Sequence, residues 1–378
     1  MKILYKILRQ DPGSRQGVVI ATSALGILVN FLLAGVKIAV GTMVSSIAIV
    51  SEGINNASDS ASSLLTIVGT RLAEKRPTRA HPFGFGRVEY LTSLIIAVLI
   101  LFTGGEFLIS SVKLVMNPHP VSISYVTLAI IAVSAGVKLW LGAFTSKKGE
   151  QVSSGALVAV GQDCKNDSLV SAVTITSALV FLIFHRTVDA WAGIITSGFI
   201  IKSGIEVMRD AVGMILGKPA DKALADELYK EIRATPGILN AADMMLHNYG
   251  PDEYTGSVNI EVDHDKTIGE IYSVIHELQL QIMQKYGVVM VFGMYAVDSD
   301  DPEQGKLRRY IASFVAGREH VVSYHALYLP PDREQIYCDL VVDYDLRDRD
   351  SLEADFTKYI KEKYPDCELM LTIETEYV

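Results

Sequence analysis

Two pairs of oxygen-bearing side chains stand four residues apart in segments that are otherwise apolar. Asn55 and Asp59 form the first pair, and Asp163 and Asp167 form the second. Residues four apart lie on the same face of an α-helix, one turn along. If the two helices face each other, three carboxylates and one amide oxygen converge on one point. Oxygen ligands of this kind favour Mn²⁺, Mg²⁺ or Ca²⁺, whereas zinc sites usually add His or Cys.

Protons compete with a metal ion for such a site. Three unpaired carboxylates in a region of low dielectric repel one another, and either a divalent cation or added protons relieve that repulsion. Ionisable residues inside membrane spans are costly and usually functional. A site that contains Asp59, Asp163 and Asp167 therefore predicts exchange of a divalent metal for protons.

Structural roles for the same residues are the alternative. Asn side chains in membrane spans often only hydrogen-bond between helices, and Asn56 fits that description. Asp163 and Asp167 could also form structural ion pairs with Lys165 or Arg209. The matched spacing of an NxxxD pair and a DxxxD pair favours the metal site over these roles.

Six apolar segments position these side chains. A membrane-spanning helix needs roughly 20 mostly apolar residues, and 49% of the 378 residues are hydrophobic. The first ligand pair falls in the second predicted span and the other pair in the fifth. The six predicted spans cover residues 17–40, 45–70, 88–116, 122–145, 152–183 and 187–215.

The distribution of charge separates a basic membrane half from an acidic soluble half. Residues 1–215 carry 18 Lys/Arg and 12 Asp/Glu, and the remainder carries 16 and 31. Lys and Arg concentrate before the first span, after the second and after the fourth, so the positive-inside rule predicts that both termini are cytoplasmic. The acidic tail argues against nucleic acid as a partner. The polar N-terminal residues precede a full-length span, so no cleavable signal peptide is expected.

A soluble tail is predicted from about residue 217, where short amphipathic helices alternate with strands. The order α-β-β-α-β occurs twice, over residues 217–300 and 301–378. At the boundary between the copies we predict a strand at Val288–Val297, a polar break at residues 298–305 and a helix from Lys306 to Gly317. We predict two tandem copies of a small cytosolic α+β, ferredoxin-like domain after an all-α, six-helix transmembrane domain at residues 1–216. The cysteines have no CxxC spacing, which indicates neither a disulfide framework nor a thiolate metal cage; they are Cys164, Cys338 and Cys367.

Three motifs follow one another in an order typical of one transporter family. They are SEGINNASD at residues 51–59, RAHPFGFGRVEYL at 79–91 and GQDCKNDSLVS at 161–171. Together with six spans and an α+β tail, they resemble the cation diffusion facilitators across essentially the whole chain. The resemblance implies a homodimer in a lipid bilayer that exports divalent metal from the cytosol, usually in exchange for protons.

The resemblance also bears on metal selectivity. Asn55, Asp59, Asp163 and Asp167 fall on the four transport-site positions of the family. Zinc-transporting relatives commonly carry His at one of these positions, so this set resembles the manganese-exporting subgroup. We therefore expect a Mn²⁺/H⁺ antiporter of the bacterial plasma membrane, with the metal as cargo and no prosthetic group.

Two further metal sites of the family lack their usual ligands here. In the loop before the third span, His81 is present, but Thr78 and Phe85 occupy the other two positions. In the tail, relatives carry His where this chain has Ala242, Asn259 and Tyr295.

Two histidines could build a different site in the tail. His247 lies near Asp243 in the sequence, and His264 lies between Asp263 and Asp265. A solvent-exposed or turn position is the alternative for each histidine. The second tail copy lies beyond the usual family plan, and it could enlarge a dimer interface or bind a regulator.

Other functions remain open at this stage. The same site could carry Zn²⁺, Fe²⁺, Co²⁺ or Cd²⁺, and a channel would show flux without proton coupling. A membrane-anchored sensor of metal or another ligand, acting through the tandem tail, would bind without flux. An enzyme is not expected, because the sequence has no GxSxG, P-loop or HExxH motif.

Overall fold

The computed structural model describes residues 2–8, 10–11, 13–43, 47–116, 125–184, 189–219, 221–251, 253–298, 300–330 and 333–375. Some side chains within the helices, including that of Asn55, lie outside this description. The chain divides near Lys218 into two compact units, the first helical and the second α+β.

Six helices of 27 to 30 residues dominate the described part of the first unit. Long apolar runs with few helix breakers favour such helices, and each one overlaps a predicted apolar segment. The fourth predicted segment begins at residues 122–124, which lie outside the described residues, and its helix continues to Gln151. The helices are α1 Lys2–Leu8, α2 Arg15–Met43, α3 Ile47–Ala73, α4 Val88–Met116, α5 Tyr125–Gln151, α6 Gly155–Phe184 and α7 Asp189–Leu216.

Three helices of the described residues are long and apolar enough to cross a membrane. They are Arg15–Val40, Val88–Met116 and Leu128–Gln151. The helices α3 and α6 carry the predicted ligand pairs, and the charged residues of those pairs lower the hydropathy of both helices. The first unit is therefore a helical membrane region in which two helices carry charged residues within their apolar sequences.

The second unit contains two three-stranded sheets, each with two helices. Both halves follow the order helix-strand-strand-helix-strand. The first half has α8 Lys222–Ala234, β1 Asn240–Gly250, β2 Glu253–Asp263, α9 Ile268–Tyr286 and β3 Val288–Val297. The second half has α10 Pro302–Ala316, β4 Val321–Tyr328, β5 Gln335–Val342, α11 Arg349–Lys363 and β6 Glu368–Thr375.

The first sheet has the strand order β1-β2-β3, with β2 and β3 parallel. The helix α9 connects these two strands and begins at a capping box, in which the Glu270 amide donates to Thr267 Oγ1. It ends at Gly287, whose φ of 69° is readily adopted by glycine. Buried residues from the helices and β2 form the core, including Leu228, Ile232, Val258, Ile260, Leu278 and Ile282.

The second sheet has the order β4-β5-β6, with β4 antiparallel and β6 parallel to β5. Alternate residues of β5, from Ile336 to Val342, are buried in a core with Phe314 of α10 and Phe356 of α11. Side chains alternate between the two faces of a strand. Asp339 of β5 therefore lies on the face opposite the helices.

The start of α10 differs from the prediction, which placed a polar break at residues 298–305 and a helix from Lys306. The helix begins at Pro302, inside that break. The Asp301 side chain accepts a hydrogen bond from the Glu303 amide, and proline is well suited to the first turn. Local capping thus extends the helix beyond its apolar residues.

Candidate metal-transport site

The helices α3, α5 and α6 bring three charged side chains together. Lys138 Nζ on α5 lies 2.6 Å from Asp59 Oδ2 on α3 and 2.5 Å from Asp167 Oδ2 on α6. The lysine side chain is 4% exposed, and the two carboxylates are 15% and 16% exposed. A largely buried ammonium therefore occupies the point at which Asp59 and Asp167 converge.

The two other predicted ligands lie on the same two helices. Asp163 is one turn before Asp167 on α6, and the charges of both Asp59 and Asp167 act on it. Asn55 is one turn before Asp59 on α3, but its side chain is outside the described residues. Asp59, Asp163 and Asp167 thus form one electrostatically connected group around Lys138.

The ion-pair partner of these carboxylates differs from the partners considered in the sequence. Lys165 and Arg209 were the candidates, and the structure places Lys138 there instead. Helical spacing relates residues within one helix, so it could not connect Lys138 with Asp59 or Asp167. The available signal was a lysine in the middle of an apolar segment, to which the rule for ionisable residues in membranes also applies.

A second buried lysine acts on the same group. Lys37 of α2 is 4% exposed, and its charge acts on Asp59. The three carboxylates and Lys138 alone carry a formal charge of −2 when all are ionised, opposite to that of a divalent cation. Lys37 adds positive potential to this balance, which favours release over permanent retention of a cation.

Small residues bring α5 close enough to α6 for Lys138 to reach Asp167. A Cβ atom on Gly142 would lie 2.8 Å from the Gly161 carbonyl oxygen. The Ser168 hydroxyl donates to the Ala135 carbonyl at 2.9 Å and joins the same two helices close to Lys138. Close backbone approach at small residues is a common basis of helix packing in membranes.

Other polar residues of α6 have structural partners. Gln162 Nε2 donates to Asn166 Oδ1 at 3.1 Å, and Asn166 Nδ2 donates to Ser203 Oγ of α7 at 3.4 Å. The first bond lies within α6, and the second joins α6 to α7. The polarity of α6 therefore has two components, with carboxylates toward Lys138 and amides toward the neighbouring helix.

The histidines that the sequence offered as metal ligands lie outside the group formed by Lys138 and the three aspartates. The His81 ring lies 4.6 Å from the Phe85 ring, measured between centroids. His264 is 41% exposed, with its ring nitrogens 3.4 Å from Asp263 and 3.0 Å from Asp265. His247 is exposed on β1. At the family's tail positions, Asn259 Nδ2 donates to Tyr295 Oη at 2.9 Å.

A cluster of buried carboxylates between membrane helices, followed by an α+β tail, is typical of one class of membrane protein, the cation transporters. Residues 23–216, just over half of the chain, match the family model of the cation efflux transmembrane domain. The chain therefore belongs to the cation efflux family, the cation diffusion facilitators, whose members are transporters rather than enzymes.

Individual relatives agree with this assignment. An uncharacterized transporter of Methanocaldococcus jannaschii is 27% identical over 252 residues, covering 66% of this chain and 88% of the relative. The manganese efflux system protein MneP of Bacillus subtilis is 24% identical, covering 70% and 91%. MneS of the same organism, also a manganese efflux system protein, is 24% identical and covers 70% and 90%.

Proposed function

We propose that this chain exports Mn²⁺ from the cytosol in exchange for protons, through a site formed by Asn55, Asp59, Asp163 and Asp167. The observation that carries the proposal is that Asp59 and Asp167, from two different helices, converge on the buried ammonium group of Lys138. Oxygen ligands without His or Cys favour Mn²⁺ over zinc. The names of MneP and MneS support the same metal.

Lys138 has a defined place in this mechanism. In the absence of metal, its ammonium neutralises part of the charge on Asp59 and Asp167. The incoming metal ion replaces the ammonium between the two carboxylates, and Asp163 and Asn55 supply further oxygens. Protons that bind the carboxylates from the opposite side release the metal, after which Lys138 returns. Alternating access around a buried site is the general scheme for such carriers.

The proposed membrane arrangement has six spans, α2 to α7, with both termini in the cytoplasm. Six long helices in the described residues support the count, and the positions of Lys and Arg support the orientation. The bacterial relatives support a plasma-membrane location. We also propose a homodimer, on the basis of the family resemblance.

We propose domain boundaries at 1–216, 217–300 and 301–378, with the tail as a tandem duplication. The identical element order of the two tail halves supports duplication. The alignments with MneP and MneS cover nine-tenths of each relative but leave about 30% of this chain unmatched, which supports an added domain. The acidic tail would concentrate cations near the cytosolic entrance through its field.

Metal flux into proteoliposomes tests the proposal. Wild type and Asp163→Ala are reconstituted, Mn²⁺ and Zn²⁺ uptake are compared, and internal pH is recorded. We expect saturable Mn²⁺ uptake with opposite proton movement, lost in Asp163→Ala. Glu206→Gln is the matched control, because Glu206 is a carboxylate on α7 that is 65% exposed, and it should transport normally.

Each contrary result has a distinct meaning. Uptake of Zn²⁺ without Mn²⁺ would overturn the metal assignment and retain the exporter. The same holds if Fe²⁺, Co²⁺ or Cd²⁺, tested in the same assay, is taken up and Mn²⁺ is not. Non-saturating flux without proton movement would indicate a channel. Metal binding without flux in correctly oriented protein would indicate a membrane-anchored sensor.

A further inference from the structure

A second group of metal-ligating side chains lies in the tail. Ligand atoms of Asp243, His325 and Glu374 all lie within 4.8 Å of one another. Asp243 belongs to β1 of the first sheet, while His325 and Glu374 belong to β4 and β6 of the second. His325 Nε2 is 2.7 Å from Asp243 Oδ1 and 3.9 Å from Asp339 Oδ2. Carboxylates from both sheets therefore surround one imidazole nitrogen.

The strand register of the second sheet places its members on one face. His325 of β4 pairs with Asp339 of β5, and Asp339 pairs with Thr372 of β6. Glu374 is two residues beyond Thr372 and therefore points to the same face. That face is opposite the helices α10 and α11, yet the His325 side chain is only 3% exposed.

The geometry at His325 Nε2 is not that of a satisfied hydrogen bond. Although Asp243 Oδ1 is 2.7 Å away, Nε2 is buried and makes no correctly oriented hydrogen bond to the described residues. An ion pair at this distance normally aligns its donor with the acceptor. A buried nitrogen without such a bond, within 4.8 Å of carboxylate oxygens from two other residues, is suited to a shared cation.

The charge balance also favours a cation. Asp243 Oδ1 and Asp339 Oδ2 lie 2.7 Å and 3.9 Å from His325 Nε2, and Glu374 has a carboxylate oxygen within 4.8 Å of the Asp243 and His325 ligand atoms. One imidazolium cannot neutralise three neighbouring carboxylates. A divalent cation bound to the neutral imidazole would reduce the excess negative charge and satisfy Nε2 as well.

Neighbouring residues hold Asp243 in position. Asn259 Nδ2 donates to Asp243 Oδ2 at 3.0 Å, which leaves Oδ1 directed toward His325. Such outer hydrogen bonds are typical of carboxylates that bind metals. Asp243 and Ala326 have φ values of 55° and 53°, which are uncommon for residues other than glycine and concentrate at functional sites.

We infer that Asp243, His325 and Glu374 bind a divalent first-row transition cation that joins the two halves of the tail. One imidazole with two carboxylates suits Zn²⁺ or Mn²⁺. The site goes beyond the proposed transport function, and it uses none of the family's tail positions at Ala242, Asn259 and Tyr295. Asp243 faces His325 rather than His247, the histidine that the sequence offered beside it.

A cavity lies close to these residues. A cavity of about 500 Å³ is lined by Tyr295 from the first sheet and by Asp339 and Thr372 from the second. Asp339 is also the carboxylate next to His325 in the strand register. The cavity and the proposed site therefore share a neighbouring carboxylate, Asp339.

Equilibrium dialysis of the full-length protein in detergent, with Zn²⁺ and Mn²⁺ in separate experiments, tests this site. All variants carry Asp163→Ala, so that binding at the transport site is reduced. We expect His325→Ala to lose one bound ion per chain and Glu374→Gln to weaken the same ion by at least ~10-fold. The control is His264→Ala, because His264 lies in an exposed cluster with two aspartates and should keep the full number of ions.

Hydrogen exchange provides the second measurement and also shows that each variant is folded. Added metal should slow exchange in β1, β4 and β6 of the parent protein but not of His325→Ala. Equal numbers of bound ions in the parent protein and in folded His325→Ala would overturn the site, as would unchanged binding in Glu374→Gln. Retained flux in Asp163→Ala would refute the transport proposal alone, since the comparison of His325→Ala with His264→Ala does not depend on flux.

Discussion

The helical unit and the tail each hold a group of carboxylates around one basic side chain, but the two groups are assembled differently. In the helical unit, Lys138 lies between Asp59 and Asp167, and a lysine remains charged throughout the physiological pH range. In the tail, the basic group is His325, whose imidazole titrates far closer to neutrality. A permanent ammonium balances the first group, whereas the second depends on a proton or a metal ion.

Because the basic side chains differ, we expect the two groups to treat a metal ion differently. A lysine that returns between the carboxylates competes with a metal ion and helps to release it, as transport requires. An imidazole is itself a metal ligand and retains the ion together with its carboxylates. We therefore propose turnover of the metal at the helical group and retention of the metal at the tail group.

Removing the permanent cation should have the largest effect on stability. Lys138→Met removes the ion-pair partner that Asp59 and Asp167 share in the helical unit, which we expect to cost about 3–5 kcal/mol. Added Mn²⁺ should restore most of this loss, because the metal then supplies the missing charge. Thermal unfolding in detergent, with and without Mn²⁺, measures both effects.

A matched lysine on α7 provides the control for this experiment. Lys202 pairs with Glu206 at 3.7 Å, and both side chains are largely exposed. Lys202→Met should change stability by less than about 1 kcal/mol and should not respond to Mn²⁺. Equal unfolding temperatures for Lys138→Met and Lys202→Met would contradict the central role of Lys138.

Separating α5 from α6 should have an intermediate effect and should leave the tail group unchanged. In Gly142→Ala the new Cβ would meet the Gly161 carbonyl oxygen at 2.8 Å and Lys165 Cγ at 2.9 Å. The helices must move apart, which displaces Lys138 from Asp167 and costs about 1–3 kcal/mol. Stability and Mn²⁺ flux should both fall.

Gly136→Ala tests the same change on the same helix without the close contact. A Cβ on Gly136 meets no atom within 4 Å. Alanine is favoured over glycine inside a helix by roughly 0.5–1 kcal/mol, so stability should be kept or increased. A loss of flux equal to that of Gly142→Ala would show that helix spacing is not the cause.

The smallest effect on stability is expected from an ion pair on the surface of the tail, whose basic group is a histidine, as in the buried tail group. His320 Nδ1 lies 2.9 Å from Asp343 Oδ2. This hydrogen bond raises the pKa of His320 above its ordinary value of 6.5 and lowers the pKa of Asp343 below 3.8. The pair is therefore fully stabilising only between pH 3.8 and pH 6.5, the ordinary pKa values of the two groups. The stabilisation is lost as pH rises through the pKa of His320 in the folded protein. It is also lost as pH falls through the pKa of Asp343 in the folded protein.

Substitution of His320 by asparagine checks this pH dependence. Asparagine tolerates the φ of 69° at this position, so the backbone should be retained. His320→Asn should lower the unfolding temperature slightly at pH 5 to 6 and by less at pH 8. A difference that grows with pH would contradict the ion-pair assignment.

Local sequence patterns predicted most of the elements. Apolar runs indicated the six long helices, and alternation with turn signals indicated both α+β halves, with β3 predicted at its observed bounds of Val288–Val297. The start of α10 was wrong by four residues, because the Asp301 cap and Pro302 extend the helix through residues without an apolar pattern. Helix ends depend on individual hydrogen bonds, which periodicity does not describe.

The sequence by itself determined which residues share a helix face, so that Asn55 with Asp59, and Asp163 with Asp167, are neighbours on any α-helix through these positions. Only the tertiary structure decided that Lys138 lies between Asp59 and Asp167, and that His325 rather than His247 faces Asp243. The physical reason is that sequence periodicity relates only residues that are close together in the chain. Helix and strand periods relate residues a few positions apart, whereas contacts between separate elements depend on how their buried faces pack.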